Sequence, residues 1–577
     1  MKKRMLFICL CLTLPLSLVS CGQTTASLTS TSSASTTSEL TSTGATTNSG
    51  GGGRGGGMGG SAASIVASGS IDINEAKWSY DATNNVYYQI GLSYCSAPVD
   101  SSLETMGIFV PGAYFTGTKN SDGTYTCQVN AQGSVASYTA SSAPIVFPVN
   151  TPGYASQAEP SSYSYSSISS YLAAGFIYVQ AGMRGKNVTS GQAPWGVTDL
   201  KAAVRDYRYN ASKLPGSTSK IFTFGMSGGG AQSSLMGASG DSPLYTPYLE
   251  AIGAPLKDQN GNDLSDAVAG SMCWCPITSL DEGDEAYEWN MGQFFTSSSR
   301  TNGTFTKALS DDMASAYADF INGIGLKNNG ETLSLTQSSS GFYLSGTYYD
   351  YIVSVVSESL NNYLSDTYGT DTSSKASYVS SLGSWASFDS ASNTASITDL
   401  SGFIKADKQA SKSVGAFDSP SGNATENTVF RSTEATSAAG HFDAVEKKLL
   451  EDNKTKYASL SGYTDYTSAF TADFQATDSV GKDVTYRSEM YNPMYYLDDY
   501  YQGYNTSKVA SFWRIRTGIN QTDTALTTEA NLSLALKNNA SVSSVDFATV
   551  WGKAHTEAER SGNSTSNFIS WVEDCTK

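Results

Sequence analysis

The stretch Ile221-Phe222-Thr223-Phe224-Gly225-Met226-Ser227-Gly228-Gly229-Gly230-Ala231-Gln232-Ser233-Ser234-Leu235 constrains the fold more than any other. Its Ile- and Phe-rich opening reads as a buried strand, and its Ala, Gln, Ser and Leu residues follow at helical spacing. Between the two lies Gly225-x-Ser227-x-Gly229. A strand that turns straight into a helix strains the backbone of its corner residue, and the residues two before and two after must lack a Cβ to avoid a clash. Ser227 is that corner. Its hydroxyl is expected at the carboxyl end of the strand, with the amide of Gly228 at the start of the helix aimed at a developing oxyanion.

The surrounding chain supplies the sheet such a corner needs. Residues 106–110, 145–149 and 175–180 read as strands, and 161–174 and 197–209 as helices, the latter with Leu200, Ala203, Val204 and Tyr207 on one face. Strand–helix alternation implies an α/β chain with the α/β-hydrolase fold, a mostly parallel sheet with helices on both faces. The loop after 145–149, Asn150-Thr151-Pro152-Gly153-Tyr154, stands where this fold keeps its second oxyanion donor, so an amide near Gly153 is expected to serve. Alternation stops over 284–482, where helical pieces sit in Ser- and Tyr-rich sequence, and resumes with a strand at 509–518, a helix at 526–536, a strand at 545–551 and a closing helix through 571. The expectation is a core in two parts, 71–283 and 483–577, with a large, mainly helical lid domain inserted at 284–482.

A serine nucleophile needs a histidine. The chain has two, His441 and His555. The fold orders its catalytic groups Ser, then Asp or Glu, then His, with the base after the last strand. His555 meets that requirement, whereas His441 lies inside the insertion and is expected to be structural or substrate-facing. After the strand ending at 518 the first carboxylate is Asp523, which also stands where a helix N-cap would, and it is expected to accept the second ring N–H of His555.

Residues 1–20 carry Lys2-Lys3-Arg4, an apolar run and Leu18-Val19-Ser20-Cys21, the pattern of a lipoprotein signal with Cys21 as the acylated residue. Residues 21–70 are nearly all Ser, Thr, Ala and Gly, a disordered tether. The expected location is extracytoplasmic, held to the bacterial membrane by the lipid on Cys21. The net charge of −17 becomes −20 once the three basic residues of the signal leave, which argues against a nucleic-acid partner. Five cysteines remain beyond residue 21, an odd number, so at least one is unpaired or pairs with another chain; Cys273-Trp274-Cys275 is read as one disulfide to a distant cysteine or as two buried thiols. No metal and no cofactor are expected. The run Asp258-Gln259-Asn260-Gly261-Asn262-Asp263 lacks the glycine position and closing Glu of a calcium loop and reads as a turn.

With these residues in place, the chain resembles the bacterial tannases of subtype B and related feruloyl-esterase-like α/β hydrolases, from about residue 76 to 575. The resemblance rests on the 222–232 stretch, on Gly182-Met183-Arg184-Gly185, on Cys275-Pro276-Ile277-Thr278 and on the 523–555 segment. It implies cleavage of galloyl esters through an acyl-enzyme, without a metal, beneath a lid inserted between nucleophile and acid. It also implies a lysine and a glutamate from the lid on the phenolic hydroxyls, here matched by Lys412 and Glu426. Members are expected to carry two aspartates two apart, one for the triad and one for the substrate; here Gln521 and Asp523 occupy that stretch.

The reading that follows is a serine esterase of phenolic, galloyl or hydroxycinnamoyl, esters, with a small-molecule ester as partner. Tyr491, Tyr495 and Tyr496 can stack an aromatic acyl group, although packing is the ordinary role of such residues. The alternatives are a carbohydrate or peptide hydrolase on the same scaffold and a non-catalytic ligand-binding lipoprotein.

Overall fold

A computed structural model describes residues 70–337, 343–432 and 439–577. The expected signal, Cys21 and the tether through residue 69 lie outside the described residues. Nine strands form the main sheet: β1 (Ser79–Asp81), β2 (Val86–Ser93), β3 (Thr105–Pro111), β4 (Ile145–Val149), β5 (Ile177–Ala181), β6 (Ile221–Met226), β7 (Gly270–Trp274), β8 (Phe512–Gly518) and β9 (Ser544–Val550). Their order across the sheet is β1-β2-β3-β5-β4-β6-β7-β8-β9. The first three strands and β5 pair antiparallel, and β5, β4, β6, β7, β8 and β9 pair parallel.

The alternation along β6 explains why it sits in the centre. Phe222 and Phe224 point to one face, where Phe224 meets Phe568 at 4.2 Å between ring centroids and Phe222 meets Trp571 at 5.6 Å, both from helix α9 (Ser564–Thr576). Thr223 points to the other face, where its hydroxyl accepts from Ser233 at 3.0 Å on helix α3 (Gly228–Ala238). Both faces of the strand are therefore covered, and burying Phe222 alone contributes roughly 2–3 kcal/mol. Further helices are numbered in chain order: α1 (Tyr165–Ala173) and α2 (Trp195–Tyr209) before the elbow, and α8 (Leu526–Asn538) between β8 and β9. This is the α/β-hydrolase arrangement.

Between β7 and β8 lie helices α4 (Gly283–Asn290), α5 (Phe305–Ile324), α6 (Thr347–Tyr368) and α7 (Ala444–Asp452), with two short hairpins pairing Lys327–Asn328 with Glu331–Thr332 and Ala386–Asp389 with Thr394–Ile397. The segment is not a detached cap. Ser359 of α6 donates to the carbonyl of Thr549 on β9 at 3.0 Å, and Tyr348 donates to Asn531 of α8 at 2.7 Å. Its apolar side chains join the core of the sheet, while Phe305, Leu309, Met313, Leu450, Tyr457 and Phe470 form a smaller cluster inside it.

All five cysteines among the described residues are free thiols, so Cys273 and Cys275 are the two buried thiols rather than half of a disulfide. The Asp258 run is a turn: Gly261 donates to the carbonyl of Asp258 at 3.0 Å, and the Asp258 carboxylate accepts from the Asn260 and Asn262 amides. No helix among the described residues is long and apolar enough to cross a membrane.

Candidate active site

Ser227 sits between β6 and α3 with φ 60° and ψ −125°, a backbone conformation that side chains rarely adopt. The flanking glycines make the turn feasible. A Cβ on Gly225 would lie 2.5 Å from the carbonyl oxygen of Val149, and one on Gly229 would lie 2.1 Å from the same atom. The corner is pinned by a bond from the Ser227 amide to the carbonyl of Trp274 at 2.9 Å. Helix α3 begins at Gly228, whose N–H therefore has no acceptor within the helix.

The loop after β4 lies against this helix start. A Cβ on Gly228 would approach the Tyr154 amide to 2.6 Å. Tyr154 gives its own N–H to the carbonyl of Thr151 at 2.9 Å, whereas the Gly153 amide has no acceptor among the described residues. Gly153 is left-handed at φ 55°, a conformation glycine adopts readily. Beneath the loop Arg184 binds Asp199 through Nε at 2.9 Å and NH2 at 2.6 Å, with Glu104 at 3.4 Å, all three fully buried. That network, with Gly185 so close to Ala155 that a Cβ would overlap it, accounts for the Gly182-Met183-Arg184-Gly185 motif.

His555 follows β9 and brings Nε2 to 2.8 Å from the Ser227 hydroxyl. Its Nδ1 is 2.8 Å from Oε1 of Gln521, and Asp523 lies farther off, at 3.8 Å. The expectation that Asp523 would take the ring N–H is thus corrected: Gln521 holds that position and Asp523 stands beside it at ion-pair distance. The Gln521 amide is oriented by its surroundings. Its NH2 group donates to Thr517 at 2.7 Å and to the buried Glu529 at 2.6 Å, so its oxygen faces the imidazole. The ring must then carry its hydrogen on Nδ1, and the lone pair of Nε2 faces Ser227. Lys408, buried below, donates to the carbonyls of Gln521 and Thr524. Burial raises the Glu529 carboxyl and lowers the Lys408 ammonium, each opposed by the other's charge.

Burial also lowers the pKa of His555, an effect that Asp523 opposes and that Lys412 and Lys408 reinforce. Glu426 is buried; burial raises its carboxyl while Lys412 and Lys186 pull it down and Asp523 pushes it up. Lys412, Glu426 and Asp523 therefore share one electrostatic environment with His555. Lys186, which sequence reasoning did not single out, donates to the carbonyl of Thr425 at 3.4 Å and would stand 3.9 Å from a Cβ on Gly153. The signal was available in its place directly after the Gly182–Gly185 motif.

His441 and the three tyrosines each take one of the roles left open for them. His441 is structural: it is fully buried, its Nδ1 is 2.6 Å from Asp418, and its ring stacks on Phe470 at 3.7 Å. Tyr491, Tyr495 and Tyr496 are packing residues, buried in the core; Tyr491 accepts from Gln232 at 2.8 Å and so braces the loop at Thr151.

A serine hydroxyl on a strained corner at a helix start, with an imidazole nitrogen within hydrogen-bond reach, is an arrangement suited to acyl transfer. Comparison with known proteins agrees with this reading of the fold. The BD-FAE family model matches residues 135–263. The tannin acyl hydrolase from Lactobacillus plantarum superposes with a TM-score of 0.63 at 25% identity, over 85% of this chain and 94% of that one. The tannase of Fusobacterium nucleatum gives 0.66 at 26% identity, over 88% and 100%. A tannin acyl hydrolase in complex with ethyl gallate gives 0.63 at 25% identity, over 85% and 94%. No curated protein sequence matches the chain.

Proposed function

We propose that this chain, an α/β hydrolase of the tannase and feruloyl-esterase-like kind, is a serine esterase that cleaves phenolic esters through a covalent acyl-enzyme. The single observation that carries the proposal is the 2.8 Å approach of His555 Nε2 to Ser227 Oγ.

His555 Nε2 removes the Ser227 proton as Oγ adds to the ester carbonyl carbon. The negative charge that develops on the carbonyl oxygen is taken up by the amides of Gly228 and Gly153. The imidazolium is held through Nδ1–H by Gln521 and stabilised by the nearby Asp523 carboxylate. When the tetrahedral adduct collapses, the C–O bond to the alcohol breaks and the proton on Nε2 passes to the departing alkoxide. Water then adds to the acyl-enzyme carbonyl with His555 again as base, and Ser227 Oγ departs, taking the proton back from Nε2, to release the carboxylic acid.

The phenolic preference rests on Lys412 and Glu426, whose charges reach the same site as Asp523, together with what the named neighbours hydrolyse or bind. A lysine ammonium donates to a ring hydroxyl oxygen, and a carboxylate accepts from a ring hydroxyl. Turnover of methyl gallate, methyl ferulate and an acetylated sugar tests this. The aromatic esters are expected to exceed the acetate by at least about tenfold in kcat/KM, and a preference for acetate overturns the phenolic assignment. The location proposed for the protein is outside the cell membrane, anchored through a lipid on Cys21. Incorporation of labelled palmitate that Cys21→Ala abolishes is the expected result, and label retained in that variant contradicts it.

A further inference from the structure

Away from the Ser227 site, where α4 begins and α7 begins, the chain buries a knot of acidic side chains. Asp284, Glu285, Asp443 and Glu446 are all fully buried, and oxygens of Asp284, Asp443 and Glu446 lie within 4.8 Å of one another. Some of this charge is already satisfied. Asp284 accepts from the amides of Phe417 and Asp418, each at 2.8 Å, and one oxygen of Asp443 accepts from the amides of Val445 and Glu446. The rest is not. Both oxygens of Glu446 have no hydrogen-bond partner among the described residues, and Glu285 and Asp443 meet carboxyl to carboxyl. None of the four carboxylates forms an ion pair among the described residues, and the buried guanidinium of Arg300 is engaged with Glu288.

Leaving several carboxylates in a dry interior without a counter-charge costs several kcal/mol for each ion. Two solutions exist: the group holds protons, or it holds a cation. Oxygens bound to one ion at about 2.4 Å can be no more than about 4.8 Å apart, and one oxygen from each of Asp284, Asp443 and Glu446 lies within that bound of the other two. The donor set is all carboxylate, with no sulfur and no nitrogen, which selects a hard ion.

We infer that Asp284, Asp443 and Glu446, with Glu285 beside them, form a structural calcium site that joins the first helix after β7 to helix α7 of the insertion. Calcium fits better than magnesium, because calcium accepts many carboxylate oxygens in irregular geometry whereas magnesium is usually held by one or two carboxylates and keeps several waters. Asp284 also anchors the amides of Phe417 and Asp418, so the ion would stiffen the segment that carries Lys412 and Glu426. The site is independent of the esterase proposal, since none of its residues touches Ser227 or His555.

The test uses the full chain, treated with EGTA, desalted and then titrated with calcium chloride by calorimetry, with metal content read by mass spectrometry and unfolding followed by circular dichroism. The expected result is one calcium per chain, and a melting midpoint about 5 °C or more higher with calcium than in EGTA. Glu446→Gln is expected to weaken calcium binding at least about tenfold, while Asp258→Asn, in the surface turn, leaves it unchanged. A chain that binds no calcium and melts at the same temperature in EGTA and in calcium overturns the inference in favour of protonated carboxyls. So does calcium binding that Asp258→Asn removes and Glu446→Gln leaves intact, and tighter binding of magnesium or manganese overturns the choice of ion.

Discussion

The amide oxygen of Gln521 lies 2.8 Å from Nδ1 of His555, closer than the 3.8 Å of the Asp523 carboxylate. A neutral group therefore fixes the tautomer of the imidazole, and in the proposed mechanism the charge that stabilises the imidazolium comes from one step away. The two functions that one aspartate commonly combines are divided between two residues.

Separating them gives distinct phenotypes. Gln521→Ala leaves the Nδ1 hydrogen without its acceptor and the ring free to turn, and kcat/KM is expected to fall on the order of 100-fold. Asp523→Asn keeps the tautomer and is expected to cost about tenfold at most. Steady-state kinetics on methyl gallate compares the two, and a larger loss in Asp523→Asn would reverse the assignment.

The pH profile follows from burial of the imidazole. The base works when neutral, and its pKa is lowered below the ordinary 6.5, so the acid limb of kcat/KM is expected below that value. Asp523→Asn removes a charge that favours the imidazolium and moves the limb down; Lys412→Met removes a cation and moves it up. Each shift is expected on the order of half a unit, because Asp523 is partly exposed. Gln521→Glu puts a carboxylate in hydrogen-bond contact and is expected to raise the limb by about one unit or more, with Glu529 protonated against it. Movement of the limb in the same direction in Asp523→Asn and Lys412→Met would contradict the electrostatic account.

Recognition of the acyl ring is the role given to Glu426 and Lys412. Glu426→Gln is expected to raise KM for methyl gallate about tenfold, the loss of one charged hydrogen bond, with little change in kcat. The same variant is expected to hydrolyse p-nitrophenyl acetate at the parental rate. Equal losses on both esters would remove Glu426 from substrate binding.

Much of this arrangement was legible before any coordinates, and what was not has physical reasons. The elbow at Ser227 announces itself because only glycine fits at 225 and 229, and with two histidines in the chain the order of groups along the fold singles out His555. Gln521 stands at one of the two aspartate positions that the resemblance implies, but an amide carries no charge to mark it as the partner of a histidine; Asp523 is the first carboxylate after β8, and two residues of backbone separate it from the atom that meets Nδ1. Lys186 resembled any loop lysine until the fold brought it beside Gly153. Asp284, Glu285 and Glu446 stand in the first turns of helices and Asp443 is an N-cap, places where acidic residues are common. The two helices are far apart along the chain, and only tertiary packing buries these side chains together.

Stability offers an independent check on the loop behind the oxyanion amides. Arg184→Met leaves Asp199 and Glu104 buried without their cation and is expected to cost about 3–5 kcal/mol in urea unfolding. A loss under about 1 kcal/mol would show that the network does not hold the loop.

The most direct test is covalent. The folded protein is treated with a fluorophosphonate probe and the adduct is mapped by peptide mass spectrometry. One adduct on Ser227 is expected, absent in Ser227→Ala and slowed on the order of 100-fold or more in His555→Ala. No adduct on the folded protein, or an adduct on another serine, would contradict the account.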